Sequence, residues 1–519
     1  MTQIAFPFGP QIKTAQRPER HLILAKCLVV WASFFAPTSA VAQSGRYEAD
    51  IRDEASGKPV EAIMQIIAPN GSPARAVGAT YRAGWNLVDG TMKFRGRPGE
   101  YRFRILHGPE YSAASGGFTL DKGAEAVDII DLPRHANLAE EGWYGGDTLC
   151  YVSAEKTQPW LRAVGLEMSA SALDVQPASG SDSEPQPDQP GAWAEQGSYV
   201  DQRPFGGVTL HHWKPPAAVP DHVPAARLLV MAKQVESSSL PIHNSIQRLW
   251  ARDVPVWLAS GKVDSIVVLG DHLSESKVPR IEPFFDPVPG RFIGKLGPGR
   301  MIEYLYWQVL ETGLRIPPSA GSGYGQAGRM LGYNRVYANT ASPTREGWWR
   351  ALGEGRTFVT NGPLLRAEVN GRLPGTVFHA SSGKPLEIHV TAKLTVADPV
   401  DYLDVVFNGK AIYQARLDEY ARQGGKIPQL EVSESGWMVV RVVTSVGDTY
   451  RLASTAPFYV EFDQTPRISG KAVEMFRDWL EKAEEDVGAR DPASKAAHGP
   501  YLAAARKFWD NRAASANAP

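Results

Sequence analysis

Acidic and imidazole side chains that follow strand-like runs are the residues of this chain whose types and positions could do chemistry. The apolar run 266–269 is followed, after one glycine, by Asp271 and His272. In α/β folds, loops that leave the carboxyl ends of strands build the ligand site, so His272 is a candidate catalytic residue; the alternative is a loop histidine. Asp147, which follows two glycines, could be a metal ligand, a general base or the cap of a turn.

Other reactive side chains favour structural roles. His211 and His212 are adjacent, so only one of them can point inward from a strand, and a hydrogen-bonded core histidine is the simpler interpretation. Asp264 and Asp271 flank one strand-like run and are interpreted as strand-ending residues rather than as two acids that share a proton. Cys150 could be a nucleophile only beside a histidine, and a packed core thiol is the favoured interpretation.

Several common active sites are excluded by motif. The chain has no glycine-rich loop that ends in Gly-Lys-Ser/Thr, no Gly-x-Ser-x-Gly between a strand and a helix, and no His-Glu-x-x-His. Each of these patterns supplies a specific geometry, for phosphate binding, for an exposed serine nucleophile and for zinc. These three reaction types therefore have no sequence support.

Composition indicates a globular protein of several domains. The chain has 519 residues with 55 Lys+Arg against 56 Asp+Glu, and 43% of its residues are hydrophobic. At roughly 100–200 residues per domain this length predicts about three domains. The positive and negative charges balance and form no basic patch, so we expect no nucleic-acid partner. The N-terminal apolar run is too short to span a membrane, and no other segment approaches that length, so no integral membrane span is expected.

The N-terminal residues have the order of a secretory signal peptide. Arg17, Arg20 and Lys26 precede the uncharged run 27–36, and the small-residue pattern Ala40-Val-Ala42 follows. We therefore expect a signal peptide over residues 1–42 and a periplasmic or secreted protein. Cleavage would leave Cys150 as the one cysteine, so no internal disulfide is expected.

Hydrophobic periodicity predicts a multidomain α/β plus all-β chain. Short alternating runs predict an antiparallel β-sandwich over 46–133 and a second one over 363–463, where Asn408-Gly409 between two strands signals a hairpin. Strand-like and helix-like runs alternate over 142–362, which favours parallel strands. A Ser/Pro/Gln-rich stretch predicts a disordered insertion near 178–198, and residues 468–519 are expected to form an amphipathic helix and a frayed tail.

The middle region resembles the carbaryl-hydrolase-like (CehA/McbA) family, a branch of the PHP metallohydrolase superfamily. The similarity begins at Glu141-Gly-Trp-Tyr-Gly-Gly-Asp147 and continues in the same order through the segments 253–266, His272, 313–322, 332–337, 347–352 and 355–365. Together these segments cover most of residues 141–365. The resemblance implies a distorted PHP-like β/α barrel with β-sandwiches on both sides.

The resemblance also implies a divalent metal, zinc, manganese or iron, but the chain departs from the family at the ligands. The family holds its metal through a His-x-His pair that begins two residues after the acid matched by Asp147, and this chain has Leu149 and Tyr151 there. Leucine has no lone pair, and a tyrosine phenol must lose a proton with a pKa of about 10. The turn 321–325, where the superfamily has a late Asp-x-His, contains neither an acid nor a histidine.

What the resemblance leaves as a metal set is Asp147, His243 and His272, with Asp147 and His272 as the candidate catalytic residues. His243 lies about ten residues before Asp253, where the family often has a histidine. Arg335 and Asn361, in the family-like segments, could hold a substrate anion or could tie strands together. Glu167 is a bystander in the same region.

Two functional hypotheses follow from this pattern. The favoured one is a pseudoenzyme that keeps the frame of an exported metallohydrolase and binds a small-molecule ligand or a partner surface without metal. The alternative is an active hydrolase of esters, carbamates or phosphoesters, in which the reduced ligand set holds one metal ion. Neither the ligand nor the oligomeric state can be read from the sequence.

Overall fold

The fold is known from a computed structural model, which describes residues 44–172, 192–235, 240–274 and 281–519. The predicted signal peptide and residues 178–191 of the predicted insertion lie outside these residues. The described chain divides into two compact units. One contains residues 44–107 and 111–135, and the other contains 108–110 and the described residues from 136 onward.

The first unit consists of two sheets that share one core. Alternating apolar and polar residues give β1 (Gly45–Asp53), β2 (Glu61–Ile67), β3 (Pro73–Ala74), β4 (Tyr81–Arg82), β5 (Trp85–Asp89), β6 (Thr91–Gly96), β7 (Gly99–Leu106), β8 (Ala114–Leu120) and β9 (Glu125–Leu132). One sheet has the order β6-β1-β9 and the other the order β4-β5-β2-β7-β8, with β3 on β2. Buried apolar residues of both sheets form a single cluster.

Strand β7 shows why the alternation matters. Tyr101, Phe103 and Ile105 are buried while Arg102 is exposed, as the period-two pattern predicts. Phe118 stacks on Tyr101, with ring centroids 5.2 Å apart. The expectation of purely antiparallel pairing is wrong in one place, because β1 and β9 are parallel. The long path through seven intervening strands permits this crossover.

The second unit begins with strands and short helices that alternate. Its strands are β10 (Trp143–Cys150), β11 (Met168–Ser171), β12 (Trp193–Gln196), β13 (Tyr199–Val200), β14 (Val208–His211), β15 (His243–Ile246), β16 (Ser265–Leu269), β17 (Pro318–Ala320), β18 (Arg335–Asn339) and β19 (Thr357–Thr360). The α-helices are α1 (Ala154–Thr157), α2 (Ala225–Ala232), α3 (Val254–Ala259), α4 (Gly297–Glu311) and α5 (Arg345–Gly353), and single 3₁₀ turns span Ala139–Glu141, Gln158–Trp160 and Arg162–Val164.

Parallel pairing is confirmed for two groups of strands in this region. β10, β11 and β12 are parallel neighbours, as are β15, β16 and β17, whereas β13, β14 and β15 pair antiparallel. The two groups are joined where the segment after β17 runs beside β10: Gly323 N–H donates to the Leu149 carbonyl over 2.9 Å, and Tyr151 N–H donates to the Tyr324 carbonyl over 2.6 Å. The carboxyl ends of β10 and β16 therefore lie at the same edge.

The predicted disordered insertion does not extend as far as residue 198. Trp193–Gln196 form β12, which pairs with β11 in parallel, and the Trp193 side chain is buried. Burial of the large Trp193 side chain stabilises the pairing of β12 with β11.

The C-terminal part of the unit is dominated by β-structure and closes with two long helices. The strands are β20 (Leu364–Val369), β21 (Val377–Ala380), β22 (Leu386–Ile388), β23 (Val390–Thr395), β24 (Val400–Phe407), β25 (Lys410–Ala415), β26 (Leu430–Val432), β27 (Gly436–Thr444), β28 (Leu452–Thr455) and β29 (Phe458–Phe462). The helices are α6 (Leu417–Arg422), α7 (Gly470–Gly488) and α8 (Pro492–Ala514).

The predicted boundary between residues 362 and 363 is not a break in the structure. One sheet runs β12-β11-β10-β18-β19-β28-β27-β24-β25, so it crosses that boundary through the antiparallel pair β19 and β28. Periodicity alone cannot reveal such long-range pairing. The Asn408-Gly409 hairpin between β24 and β25 is confirmed, with φ of 49° and 73° at the two turn residues.

Helices α7 and α8 pack on the second unit, and the chain end is ordered. Phe476, Trp479 and Trp509 belong to the core cluster that also holds the apolar face of the five-stranded sheet. The expectation of a frayed tail is wrong: Ile468 N–H donates to Asn517 Oδ1 over 2.9 Å, and Ser469 Oγ donates to the Pro519 carbonyl over 2.6 Å. Asn517 and Pro519 thus bind the two residues that precede α7.

A buried ion-pair network ties these helices to α3. Arg252 donates from Nε to Asp253 Oδ1 over 2.6 Å and from Nη1 to Asp486 Oδ2 over 2.8 Å. Its Nη2 lies 2.9 Å from His498 Nε2. Its guanidinium also lies over the Phe205 ring, 4.1 Å from the centroid.

We expect Arg252→Leu to lower the free energy of unfolding by about 3–5 kcal/mol, because the buried Asp253 carboxylate loses its cation. Denaturant unfolding measures the change. The matched control is Arg506→Gln, which breaks the more exposed pair with Glu484 and should cost at most about 1 kcal/mol. Equal effects of the two substitutions would show that the Arg252 network does not hold the helices in place.

Candidate functional site

Asp147, the first residue of the predicted metal set, is buried and connects separate segments of the chain. It lies on β10 beside a β-bulge between Asp147 and Cys150. Its Oδ1 accepts from Leu149 N–H (3.1 Å) and Ser322 N–H (2.8 Å), and its Oδ2 accepts from Gly332 N–H (2.8 Å). Burial raises the pKa of Asp147 to about 6, and these backbone donors act against the rise. The carboxylate thus joins three chain segments, as the cap interpretation predicts.

Leu149 and Tyr151 occupy the positions at which the resembled family has its histidine pair, and neither side chain is suited to bind a metal. Leu149 is completely buried, and a Cβ at Gly321 would lie only 2.5 Å from the Leu149 Cβ. Tyr151 lies at the end of β10, where burial, and then the negative charge of Asp271, raise the pKa of its phenol to about 12. The phenol is therefore neutral at physiological pH and is a poor metal ligand.

His243 lies at the start of β15. Its ring belongs to a set of neighbouring rings, those of His211, His212, His243 and Trp349, which we call the ring group. Its Nε2 is 2.9 Å from Ser265 Oγ, and its ring centroid is 6.0 Å from that of His211 and 5.1 Å from that of Trp349. Burial lowers the pKa of His243 well below its ordinary value, and the nearby Lys233 acts in the same direction. His243 is thus a neutral side chain in a packed layer.

His272 lies at the carboxyl end of β16, as predicted, and is buried. Its ring meets Trp250 edge to face, with centroids 5.3 Å apart. Within the described part of the chain, neither ring nitrogen has a partner in hydrogen-bonding geometry. Burial lowers the pKa of His272 to about 3, although the Val268 backbone opposes this shift. The ring is therefore neutral.

The structure does not assemble the predicted metal set. Asp147 is surrounded by backbone amides, His243 contacts Ser265 and Trp349, and His272 contacts Trp250. Across residues 44–172, 192–235, 240–274 and 281–519, no three His, Cys, Asp or Glu side chains form a group that could hold a metal ion. The residues present therefore do not fit the metal that the resemblance implies.

Arg335 and Asn361, the two candidate substrate-binding residues, have backbone partners. The Arg335 guanidinium donates to the carbonyls of Gly332 (2.7 Å), Gly165 (2.9 Å) and Val164 (3.3 Å). Asn361 donates to the Tyr450 carbonyl over 3.0 Å and accepts from Leu452 N–H over 2.9 Å. Both side chains are buried and bind backbone, so they tie strands and loops together.

His211 and His212 both point into the ring group, contrary to the expectation for adjacent strand residues. His212 has a φ of 61°, so the chain leaves the strand in the left-handed region and turns the second ring back. Both rings contact Trp349, with centroids 4.7 and 4.9 Å away. Burial lowers the pKa of His211 well below its ordinary value, and His243 and His212 add to the effect.

The His212 ring has an oxygen partner at each of its nitrogens. Its Nδ1 faces the Pro241 carbonyl at 2.8 Å and its Nε2 faces Glu195 Oε2 at 2.9 Å. Glu195 Oε2 also accepts from Trp349 Nε1 over 2.8 Å, so one carboxyl group holds the His212 ring and the tryptophan together.

The remaining reactive side chains have structural surroundings. Burial raises the pKa of the Cys150 thiol well above its ordinary value, which agrees with a packed core thiol. Asp264 accepts from Asn244 N–H over 2.7 Å and pairs with Lys233. Glu167 Oε2 accepts from Gly145 N–H over 2.6 Å, and burial raises its pKa to about 7.

Sequence reasoning missed a group of polar residues around His272. Gln247 and Arg248 follow β15 directly, and Tyr151 and Asp271 follow β10 and β16. We call Tyr151, Gln247, Arg248, Asp271 and His272 the strand-end cluster. Burial raises the pKa of Asp271, while the charges of Arg248 and Arg329 oppose this. The missed signal was the polar pair Gln247-Arg248 directly after β15.

Comparison with known proteins adds no assignment: no family model, curated protein or solved structure matches the chain. Among the helices of the described residues, none combines the length and the apolar character needed to cross a membrane.

Asp147→Asn tests the connector role. The amide would place a donor against the Gly332 N–H, so we expect a loss of about 1–3 kcal/mol in the free energy of unfolding. Because burial raises the pKa of Asp147 from 3.8 to about 6, its protonation stabilises the fold below the unfolded pKa, and this contribution is lost as the pH rises through about 6. The variant lacks that dependence, so its deficit should be larger at about pH 4.5 than at about pH 7.5. A deficit that grows toward high pH would contradict this sign.

Glu195→Gln tests the ring group. Replacing the carboxyl group by an amide weakens its contacts with both His212 Nε2 and Trp349 Nε1, so the free energy of unfolding should fall by about 1.5–3 kcal/mol. Glu155→Gln, at an exposed position of α1, is the control and should change stability by less than about 0.5 kcal/mol. An unchanged unfolding temperature of Glu195→Gln would show that these contacts do not stabilise the fold.

Proposed function

We propose that this chain is an exported protein with the frame of a PHP-superfamily metallohydrolase, and that it binds a ligand or partner without the family's metal. The proposal combines the sequence resemblance over residues 141–365 with the way in which the structure uses the corresponding side chains. The binding site that it favours lies at the carboxyl ends of β10, β15 and β16.

The strand order supports the proposed frame. Following the hydrogen bonds from β12 gives β11 and β10, then the segment after β17, then β17, β16, β15, β14 and β13. β12 and β13 follow each other along the chain, and Ser198 between them bridges to Trp213. A strand order that returns to its starting point is what a distorted barrel requires. In barrels with parallel strands, ligands bind at the carboxyl ends.

The observation that carries the loss of metal binding is the environment of Asp147. A ligating carboxylate must offer a lone pair to the ion, but both Asp147 oxygens already accept from backbone amides of Leu149, Ser322 and Gly332. Turning the carboxylate toward an ion would leave buried N–H groups without partners, each at a cost of about 1–3 kcal/mol. The Leu149 side chain has no atom that could bind a metal beside Asp147.

One observation favours the alternative, an active hydrolase of esters, carbamates or phosphoesters. His272 is neutral and its ring nitrogens are free of hydrogen-bond partners among the described residues. Such a ring could act as a metal ligand. The residues around it do not supply the further ligands, so we derive no catalytic step from it.

Metal analysis of the full-length purified protein separates the two functions. After dialysis against zinc, manganese and iron in turn, we expect far less than one bound ion per chain by elemental analysis, and no hydrolysis of naphthyl esters. His272→Ala is the matched variant. Near-stoichiometric metal that disappears in this variant, together with ester hydrolysis that disappears with it, would establish the hydrolase instead.

A further inference from the structure

The sequence contains four Asn-Gly pairs, and the structure describes all of them. They are the pairs at 70–71, 361–362, 370–371 and 408–409. Asparagine is most prone to deamidation when glycine follows it, because glycine has no Cβ to crowd the backbone nitrogen that reacts. In a folded protein the reaction also depends on what binds the asparagine amide and on its exposure to water. The four pairs differ in both respects.

In three of these pairs the asparagine amide binds the backbone of another segment. Asn370 Nδ2 donates to the Glu387 carbonyl over 3.0 Å, and its Oδ1 accepts from His389 N–H over 2.8 Å. Asn408 is held in the same way by the segment that leads into β27. Asn361 is buried, and both atoms of its amide bind backbone near the start of β28. In each case the amide nitrogen, which must leave in deamidation, is hydrogen-bonded.

Asn70 has no contact of this kind. It lies in the turn between β2 and β3, where Asn70, Gly71 and Ser72 are all exposed. Asn70 Oδ1 accepts from Ser72 N–H over 3.0 Å, and Asn70 Nδ2 has no hydrogen-bond partner among the described residues. The nitrogen that must leave is therefore not held by the fold at this pair.

The turn also favours attack on the side-chain carbonyl of Asn70. Ser72 N–H donates to Asn70 Oδ1, the atom on which negative charge develops when a nitrogen adds to Cγ, and a donor at that atom stabilises the charge. Gly71 N–H donates to the Ala68 carbonyl over 2.8 Å, so this hydrogen bond must open before the nitrogen can react. Hydrogen bonds of exposed turns open at low cost because water takes their place.

We propose that Asn70-Gly71 is a site of spontaneous modification, at which the chain deamidates with water as the only co-reactant. The Gly71 backbone nitrogen gives its proton to solvent and bonds to Asn70 Cγ. The Cγ–Nδ2 bond then breaks, and Nδ2 leaves as ammonia with a proton taken from solvent. Water opens the resulting succinimide at Cγ to give aspartate, or at the backbone carbonyl to give isoaspartate. No electrons enter or leave the chain.

Deamidation changes the charge of this turn and, in one product, its backbone. Either product adds a negative charge to a chain whose formal net charge is -1. Isoaspartate also lengthens the backbone by one carbon between β2 and β3, where the register pairs Ile66 with Ala74 and Ile67 with Pro73. The isoaspartate form therefore has weaker pairing of β3. The site lies in the first unit, so it is independent of the proposed function.

Peptide mapping by mass spectrometry of the full-length protein, incubated at mildly alkaline pH, tests the inference with the other three pairs as internal controls. We expect Asn70 to deamidate at least about tenfold faster than Asn361, Asn370 or Asn408. In guanidinium chloride, which removes the contacts of the fold, all four pairs should react at similar rates. Asn70→Gln is the matched variant, because its longer side chain must close a larger ring, and the acidic form seen in anion exchange should disappear.

Three results would overturn the inference. Equal rates at Asn70 and Asn370 in the folded protein would show that their different contacts do not select the site. No reaction at Asn70 in the folded protein, when all four pairs react in guanidinium chloride, would show that the hydrogen bond from Gly71 to Ala68 protects the turn. An advantage of Asn70 that persists in guanidinium chloride would assign it to the neighbouring sequence and not to the fold.

Discussion

The Asp147 carboxylate is the constraint on which this part of the structure depends. It lies where β10 bulges, and it accepts from the backbone of its own strand, of the segment after β17 and of the turn before β18. Three segments far apart in sequence are thus held at one buried point. In an open site such an acid could bind a metal. Here it accepts hydrogen bonds from backbone amides and so stabilises the fold.

This use of Asp147 determines which polar side chains lie at the carboxyl ends of the strands. With Asp147 turned to the backbone and Leu149 packed on the neighbouring glycine turn, the polar surface at this edge comes from loops after β15 and β16. Gln247 and His272 are held there beneath partly exposed Arg248 and Asp271. In the second group of buried histidines, His243 contacts Ser265 and Trp349, and His212 contacts Glu195.

Features that depend on local sequence could be predicted. The period-two alternation in β7 accounts for the buried Tyr101 and Phe103, and Asn408-Gly409 predicted the hairpin between β24 and β25. Periods of two and 3.6 residues are imposed by backbone geometry, so they can be read without knowing the partner.

Features that depend on distant partners could not be predicted. The large sheet crosses residue 362 because β19 pairs with a strand about 90 residues away, and Trp193 holds the end of a stretch that composition alone marks as disordered. Asn361 and Arg335 have residue types suited to anions, but their partners are carbonyls supplied by other segments. His212 departs from strand geometry through one left-handed residue, which no pattern of polarity reveals.

The central claim is that Asp147 is a structural acceptor and not a metal ligand. Anomalous X-ray diffraction from crystals grown with zinc tests it most directly, because it locates the metal atom itself. The account predicts no anomalous peak within bonding distance of the Asp147 oxygens, about 2.0–2.2 Å. A peak at that distance, with the carboxylate turned away from Ser322 and Gly332, would contradict it.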